Sequence, residues 1–357
     1  MNAEQIAELV KDSRQPVVPM GGRTKLVGCS AEITPLDTRP LNGIVEYEPD
    51  EYTITAKAGT PLKTIVAALN QHGQYLPFDP LLVEAGATIG GTVAANASGS
   101  GRFRYGGVRD FILGIYFVDG AGNIVRGGGK VVKNASGFDL PKFMVGSLGR
   151  YGILTEVTLK VFPKPAQYQT LQLTFATLAD AMNGTFALAN QPFEMDALDL
   201  RPTPNQQTTM WIRLGGLPDS LPDRIKRLSN WLSANTAAQT ITMLEAEAAH
   251  WSNINRIDWA KDAPNLIKIP VPPKKVLAFN ALPTLTHIHY YAAGNVALAT
   301  VDNQSLATLD ASLKTLKLSG HLLRGTAQHP HMGYLPWRPL AKRVKQALDP
   351  NGVFLGI

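Results

Sequence analysis

Three stretches of this chain gather small residues, turn formers and cations in patterns that suit a phosphate-bearing ligand. In the first, Pro19-Met20-Gly21-Gly22-Arg23-Thr24-Lys25, two adjacent glycines follow an apolar run. They allow a tight turn whose backbone N–H groups converge on one point, a concavity fit for phosphate oxygens. An ordinary strand-to-loop turn would use the same residues. In the second, Thr88-Ile89-Gly90-Gly91-Thr92-Val93-Ala94-Ala95-Asn96-Ala97-Ser98, every side chain but two is small. A planar or pyrophosphate-bearing ligand could lie against such a backbone, and so could a closely crossing helix. Arg102, Tyr105, Arg109 and Asp110 follow at once and could add charge and stacking. The third places Lys133 and Asn134 beside the Ser136-Gly137 turn, either to close over a cofactor ring or as a plain exposed loop. The familiar phosphate loops do not fit. Gly99 and Gly101 are followed by Arg104 where a dinucleotide fingerprint needs glycine, and Gly129-Lys130 by Val131 where a P-loop needs Ser or Thr.

Histidines form a second group late in the chain: His287, His289, His321, His329 and His331. The spacings His287-x-His289 and His329-x-His331 put both rings of a pair on one face of a strand. Such pairs could bind metal or supply a general base, or could be ordinary half-buried histidines. No metal site is expected. The single cysteine, Cys29, rules out an intrachain disulfide and any cysteine-held cluster, and reads as a small apolar residue.

These residues must be positioned by a strand-rich scaffold. Ile6, Leu9 and Val10 mark an opening helix. Strands are expected at 43–47, 52–56, 112–118, 124–125 and 153–161, with a helix from Lys63 to Gln71 capped by Thr60-Pro61 and ended by Gly73. Pro163 and Pro165 suggest a domain boundary. Beyond it glycine thins out and all five tryptophans occur. Helices are expected there at 178–189, 224–232, 305–316 and 340–348, and paired strands at 287–291 and 295–300 around Gly294.

At 357 residues and 45% hydrophobic content, the chain is long enough for two domains. The net charge of +6 is spread without a dense basic run, which points away from nucleic acid and toward small anions. Met1–Arg14 carries Glu4, Glu8, Lys11 and Asp12 and lacks a signal-peptide pattern. No apolar run is long enough to span a bilayer. A cytoplasmic location is expected, with any contact to the inner face of a membrane made through partners.

The ordered motifs Val18–Leu26, Leu76–Pro80, Thr88–Asn96, Tyr105–Gly114, Val132–Leu140 and Gly146–Leu159 together resemble the PCMH-type FAD-binding domain of the vanillyl-alcohol oxidase superfamily, over about residues 16 to 165. The resemblance implies an α+β fold: a two-lobed FAD-binding domain (1–165), a smaller α+β cap domain (166–330) for substrate or partner, and a C-terminal segment (331–357) returning to the first. It implies that Pro19, Met20, Gly21, Gly22, Arg23, Thr24 and Lys25 face the pyrophosphate. Thr88, Ile89, Gly90, Gly91, Ala94, Asn96, Ala97 and Ser98 would line the ribityl and pyrophosphate, with Gly152, Ile153 and Thr155 toward the adenine. Pro77, Asp79, Arg102, Tyr105, Arg109, Asp110, Lys133 and Asn134 complete the expected cofactor set. Some relatives attach flavin to a histidine in the first loop; Arg23 or Thr24 stands there here, so non-covalent FAD is expected.

Length and cap size are similar to the FAD-binding subunits of bacterial glycolate oxidase complexes. The histidine-rich metal motif of the larger 2-hydroxy-acid dehydrogenases is absent; its nearest counterpart is Tyr291-Ala292-Ala293-Gly294-Asn295. The resemblance implies oxidation of a 2-hydroxy acid such as glycolate, with electrons passing to a second flavin subunit and an iron–sulfur subunit. The chemistry would need a base for the hydroxyl proton, a cation for the carboxylate and the flavin as hydride acceptor. His331 or His289 is nominated as base and Arg324 as carboxylate partner. The alternatives are a free-standing 2-hydroxy-acid or alcohol dehydrogenase, and a flavin-fold assembly subunit without turnover.

Overall fold

The computed structural model describes residues 1–25, 33–129, 138–325 and 330–357. They form two compact units: residues 1–98, 106–164 and 335–357 in one, 99–105 and 165–334 in the other. Gly99–Tyr105 groups with the second unit, although the expected boundary at 165 leaves it with the first.

The first unit is built on strands β1 (Val17–Met20), β2 (Thr34–Asp37), β3 (Ile44–Glu48), β4 (Thr53–Lys57), β5 (Gln74–Tyr75), β6 (Ile112–Val118), β7 (Ile124–Gly128), β8 (Ile153–Lys160) and β9 (Phe162–Pro163). Five make an antiparallel sheet in the order β3-β4-β8-β6-β7, and β1 and β2 pair in parallel. β8 is central because Ile153, Val157 and Leu159 are buried and its β-branched residues fit the pleat. The helix Leu62–Asn70 buries Leu62, Ile65 and Leu69. Thr60 does not cap it as expected. Pro61 holds that position, and the Thr60 hydroxyl instead donates to the Gly43 carbonyl at 3.1 Å and accepts its N–H at 3.0 Å.

The opening helix, Ala3–Asp12, begins with a capping box between Asn2 and Gln5. Ile6 and Val10 pack with Val17, Leu41, Val118 and Ile153, and with Val353 and Phe354 from the chain's end. That end is fastened by one side chain. Asp349 is buried, and its oxygens accept the Val353 and Phe354 N–H groups at 2.8 and 2.9 Å and the Lys345 ammonium. Lys345 also donates to the carbonyls of Arg150 and Phe354. Asp349→Ala strands these donors, and breaking a buried pair from one side costs about 3–5 kcal/mol. Urea denaturation is expected to show a loss of that size; a change below about 0.5 kcal/mol would mean that the tail is held by its apolar contacts alone.

The second unit is a nine-stranded antiparallel sheet. Its strands are β10 (Gln167–Phe175), β11 (Ala197–Pro202), β12 (Thr208–Gly216), β13 (Thr240–Met243), β14 (Asn265–Pro270), β15 (His287–Tyr291), β16 (Val296–Val301), β17 (Ser319–Arg324) and β18 (His331–Gly333). The order is β13-β10-β12-β11-β15-β16-β14-β17-β18. Period-2 alternation gives the sheet two unlike faces. Leu171, Leu173, Leu198, Leu200, Ile212, Ile267, Ile269 and Leu322 are buried along one of them, which is covered by the helices Leu178–Leu188, Leu221–Asn235 and Leu306–Thr315. The other face carries Gln172, Trp211, Asp199, Arg201, His289, Lys268, His321 and His331. Among the described residues, no helix is long and apolar enough to cross a membrane. The architecture is α+β, as expected.

Candidate functional site

In the first unit the separate glycine-rich stretches come together. A Cβ placed on Gly21 would lie 2.2 Å from Thr88 Oγ1, and one on Gly22 only 1.8 Å from the Gly86 carbonyl oxygen. The first loop therefore rests directly on the second stretch, at a distance only glycine permits. Thr88 caps the helix Ile89–Ala94 through the Gly91 N–H. Gly146 and Leu148 donate to the Val93 and Ala94 carbonyls at 3.0 and 2.9 Å, which brings in a third motif. Ser98 accepts the Val108 N–H at 2.9 Å and bridges to Pro80, which brings in the buried Pro77 and half-buried Asp79. Pro19 and Met20 end β1, while Gly152, Ile153 and Thr155 lead into and along β8.

This cluster stores backbone strain. Arg23, Asp79, Asn96 and Leu148 have φ of 53°, 47°, 48° and 51°, each in a different motif. Non-glycine residues adopt such angles where the surroundings dictate them, frequently around ligands. Thr92, Ser147 and Thr155 bury hydroxyls that have no hydrogen-bond partner among the described residues. Such hydroxyls are costly unless something supplies the missing bond. A cofactor bearing ring nitrogens, ribityl hydroxyls and phosphates would supply it, so the donor set fits FAD. Lys25 lies at the end of the first loop, and burial lowers its ammonium to about 8.

Several expected cofactor residues lie elsewhere or have other work. Arg102 and Tyr105 group with the second unit, where the Tyr105 hydroxyl donates to Asp196 at 3.3 Å. Asp110 accepts the Gly107 N–H at 2.8 Å and so caps the short helix Val108–Phe111. Arg109 is exposed and donates to the Lys142 carbonyl. Ala94, Asn96 and Ala97 stay with the cluster. Lys133, Asn134 and Cys29 lie outside the described residues.

The second unit carries its own polar site on the sheet face away from those three helices. Directly opposed residues of antiparallel strands share a face, and the register aligns His289, Leu298, Lys268, His321 and His331 in one row across five strands. Arg201 extends the row, since its guanidinium donates to His289 Nδ1 at 3.1–3.2 Å. That bond leaves the His289 proton on Nε2, which donates to Asp199 Oδ2 at 2.9 Å. Asp199 also accepts the Ser100 hydroxyl. Both His289 and Asp199 are completely buried. Burial pushes the Asp199 carboxyl up to about 7, against the opposing pull of the Ser100 hydroxyl and the Ala292 amide. Burial and then Arg201 hold His289 well below the ordinary imidazole range, and burial brings the neighbouring His250 down to about 4. Trp211 and Trp259 flank the Arg201 guanidinium at 5.6 and 5.5 Å.

The three nominated catalytic residues thus differ in circumstance. Both nitrogens of His289 are engaged inside the protein. Arg324 donates to the carbonyls of Ala260 and Ala263, closing the turn at Asp258–Ala260. His331 is half-buried at the sheet edge, its ring 6.3 Å from that of His321. Asp199, Arg201, Lys268 and Ser100 were not singled out in the sequence. For the three charged residues the signal was a charge inside an apolar alternation, as in Leu198-Asp199-Leu200-Arg201 and Leu266-Ile267-Lys268-Ile269.

Comparison with known proteins bears on both units. Residues 2–128 match the family model described as FAD binding domain. The glycolate oxidase subunit GlcE of Escherichia coli (strain K12) is 40% identical over 214 residues, 60% of this chain and 59% of that protein. The glycolate oxidase subunit GlcD of Bacillus subtilis (strain 168) is 32% identical over 56% of this chain and 44% of its own length. The D-lactate dehydrogenase of Anaerostipes hadrus is 34% identical over 51% of this chain and 39% of its own. The chain thus spans less than two thirds of the length of these curated relatives. A solved alkyldihydroxyacetonephosphate synthase shares the fold, with a TM-score of 0.69 at 16% identity over 99% of this chain and 74% of the other. The N-terminal part of the chain is therefore similar to FAD binding domains over residues 2–128, and FAD is the cofactor to which that likeness and the donor set point.

Proposed function

We propose that this protein is the FAD-binding subunit of a glycolate-oxidase-like complex. It takes part in the oxidation of a 2-hydroxy acid, glycolate to glyoxylate, and passes electrons to a second flavin subunit and an iron–sulfur subunit. The observation that supports it best is the polar row of the second unit: a half-buried imidazole, His331, stands two strands from a buried lysine on one sheet face. Oxidation of a 2-hydroxy acid needs a base for the hydroxyl proton and a cation for the carboxylate. Bound FAD supplies the hydride acceptor. His331 is the base of this reading because its ring reaches the edge of the sheet, whereas His289 is sealed by Arg201 and Asp199. His289 then acts as a positioning residue that holds Arg201. The flavin is held without a covalent bond, since Arg23 and Thr24 offer no attachment chemistry. The relatives named as glycolate oxidase subunits support a heteromeric setting, and the chain's cytoplasmic placement belongs to the same reading.

The test is the visible spectrum of the purified chain before and after acid denaturation, followed by anaerobic addition of glycolate and D-lactate, alone and with the partner subunits. Acid-releasable flavin that bleaches with a 2-hydroxy acid, in either setting, is the expected result. Flavin that never bleaches in either setting would overturn the reading.

Lys25 gives a second expectation on the same protein. An anionic pyrophosphate beside it favours the ammonium form, so binding raises a group that otherwise titrates at about 8. FAD affinity should fall as pH rises from about 7 to 9.5, and Lys25→Met should remove that slope. Titration of apoprotein with FAD, followed by flavin fluorescence, measures it; an equal slope in both proteins would exclude Lys25 as the phosphate's counter-charge.

A further inference from the structure

Among the described residues of the first unit, two charged side chains are buried, Arg150 at 5% exposure and Asp349 at 3%. They do not serve each other. Asp349 is occupied by Lys345 and by two backbone N–H groups. The Arg150 guanidinium makes no hydrogen bond or ion pair with any described residue, and its Nε is buried without a partner. Burial pulls the guanidinium below its usual range, with only the neighbouring Tyr151 phenol opposing it. A guanidinium cannot escape that cost by losing its proton. A buried cation of this kind destabilises the fold until an anion meets it.

Its place in the fold says which anion. Arg150 belongs to the turn Gly146–Gly152, and the rest of that turn is fastened to the candidate cofactor cradle. Gly146 and Leu148 donate to the Val93 and Ala94 carbonyls. A Cβ on Gly149 would lie 2.5 Å from Pro19 Cγ, so the residue before Arg150 rests on the end of β1. Ser147, in the same turn, is one of the buried hydroxyls without a partner. The Arg150 N–H closes the turn on the Ser147 carbonyl at 3.0 Å, and its own carbonyl accepts the Lys345 ammonium at 2.7 Å. The main chain of Arg150 is thus fixed, and its side chain is the uncommitted part. Charge balance gives a second reason. The pyrophosphate of a dinucleotide carries one negative charge on each phosphate. Lys25, at the end of the first loop, offers one cation, and Arg150 is the buried cation left to offer another.

We propose that Arg150 is a cofactor-binding residue: its guanidinium binds the pyrophosphate of FAD and shares that charge with Lys25. The inference rests on the cofactor of the reading given above and is independent of the 2-hydroxy acid. A guanidinium fork meets two phosphate oxygens at once, and hydrogen bonds between ions are the strong ones. The same side chain therefore lowers the stability of the flavin-free chain and raises that of the loaded one. A guanidinium kept for packing would stabilise the flavin-free chain instead, so the two roles differ in sign.

The test compares the full chain, wild type and Arg150→Met, each stripped of flavin and titrated with FAD under fluorescence. Methionine keeps an apolar stem and drops the charge. FAD binding is expected to weaken roughly 10- to 100-fold in the variant, the worth of a charged hydrogen bond. Riboflavin, which lacks phosphates, should bind both proteins alike, however weakly. Thermal unfolding is expected to move in opposite directions. The flavin-free variant melts above flavin-free wild type, and saturating FAD raises its melting temperature by less. The exposed Arg343→Met should change neither measurement. Unchanged FAD affinity overturns the assignment, and so does an equal loss for riboflavin. A flavin-free variant that melts below wild type makes the guanidinium a packing element and overturns it as well. Arg150→Gln repeats the test where Arg150→Met does not fold, and failure of both to fold counts against the assignment in the same way. The two readings fail separately. Flavin that bleaches with glycolate while Arg150→Met binds FAD like wild type sinks this inference alone. FAD binding that depends on Arg150, with no bleaching by any 2-hydroxy acid, sinks the oxidation reading alone.

Discussion

A Gly22→Ala protein is expected to emerge without flavin. The new methyl would sit 1.8 Å from the Gly86 carbonyl oxygen and 2.8 Å from its carbon. Both are backbone atoms, so no side chain can swing aside. Either the first loop lifts or residues 86–91 shift, and each carries part of the candidate cofactor cradle. Forcing a methyl into packed backbone costs about 1–3 kcal/mol or more. The larger effect is on binding. A loop displaced by an ångström loses the convergence of its N–H groups, so FAD affinity should fall on the order of 100-fold, about 2.7 kcal/mol. Flavin content per chain and a fluorescence titration of the apoprotein measure it. Gly73→Ala is the control, because Gly73 has a φ of +62° with open space around it. That change should cost about 1 kcal/mol of stability and leave FAD bound. A Gly22→Ala protein that keeps its flavin as well as Gly73→Ala does would show that the first loop is a turn and not a cradle.

The contrast between the two units shows what a linear sequence discloses. The stretches that come together in the first unit stood out in the sequence because their demands are local. Glycine pairs, small-residue runs and left-handed turns leave their mark within ten residues, and Gly21, Gly22, Thr88 and Asn96 all carried it. Strands such as β8 and the β15–β16 hairpin were legible for the same reason, since alternation and a central Gly294 need no distant partner. The second unit's site depends on register between strands far apart in the chain. Asp199 meets His289 across ninety residues and Ser100 across ninety-nine. Lys268 meets His321 only because β14 is inserted between β16 and β17. Nothing near Lys268 in the sequence announces that neighbour. Arg324 was nominated for its charge, and only its two carbonyl partners show that the charge closes a turn. Arg102 and Tyr105 were assigned by their place after the small-residue run, but the contacts of Ser100 with Asp199 and of Arg104 with Asp196 carry them to the other unit.

Removing the Asp199 carboxylate should have the other large effect, with a pH signature that identifies its cause. In Asp199→Ala the Ser100 hydroxyl and the His289 Nε2–H lose their acceptor in a site with no access to water. Each stranded buried donor costs about 1–3 kcal/mol, so urea denaturation at pH 7 should show a loss of about 2–6 kcal/mol. Asp199→Asn keeps an acceptor oxygen and isolates the charge. In the unfolded chain the carboxyl titrates near ~4 and the imidazole near ~6.5. In the folded chain Asp199 is raised to about 7 and His289 lowered well below its usual range. Between about pH 4.5 and 6.5, therefore, the folded pair holds one proton on Asp199 and the unfolded pair holds one on His289. The counts are equal, and the pair adds no slope to stability. With asparagine the folded pair holds none, while unfolded His289 still takes its proton below ~6.5. The variant should then lose stability relative to wild type by up to ~1.4 kcal/mol for each unit of acidification in that window. His250, lowered to about 4, contributes the same acid-side loss to both proteins and cancels in the comparison. Parallel stability profiles for the two proteins from pH 7 to 5 would mean that Asp199 is already ionised throughout, with its charge carried by Arg201 and not exchanged for the imidazole's proton.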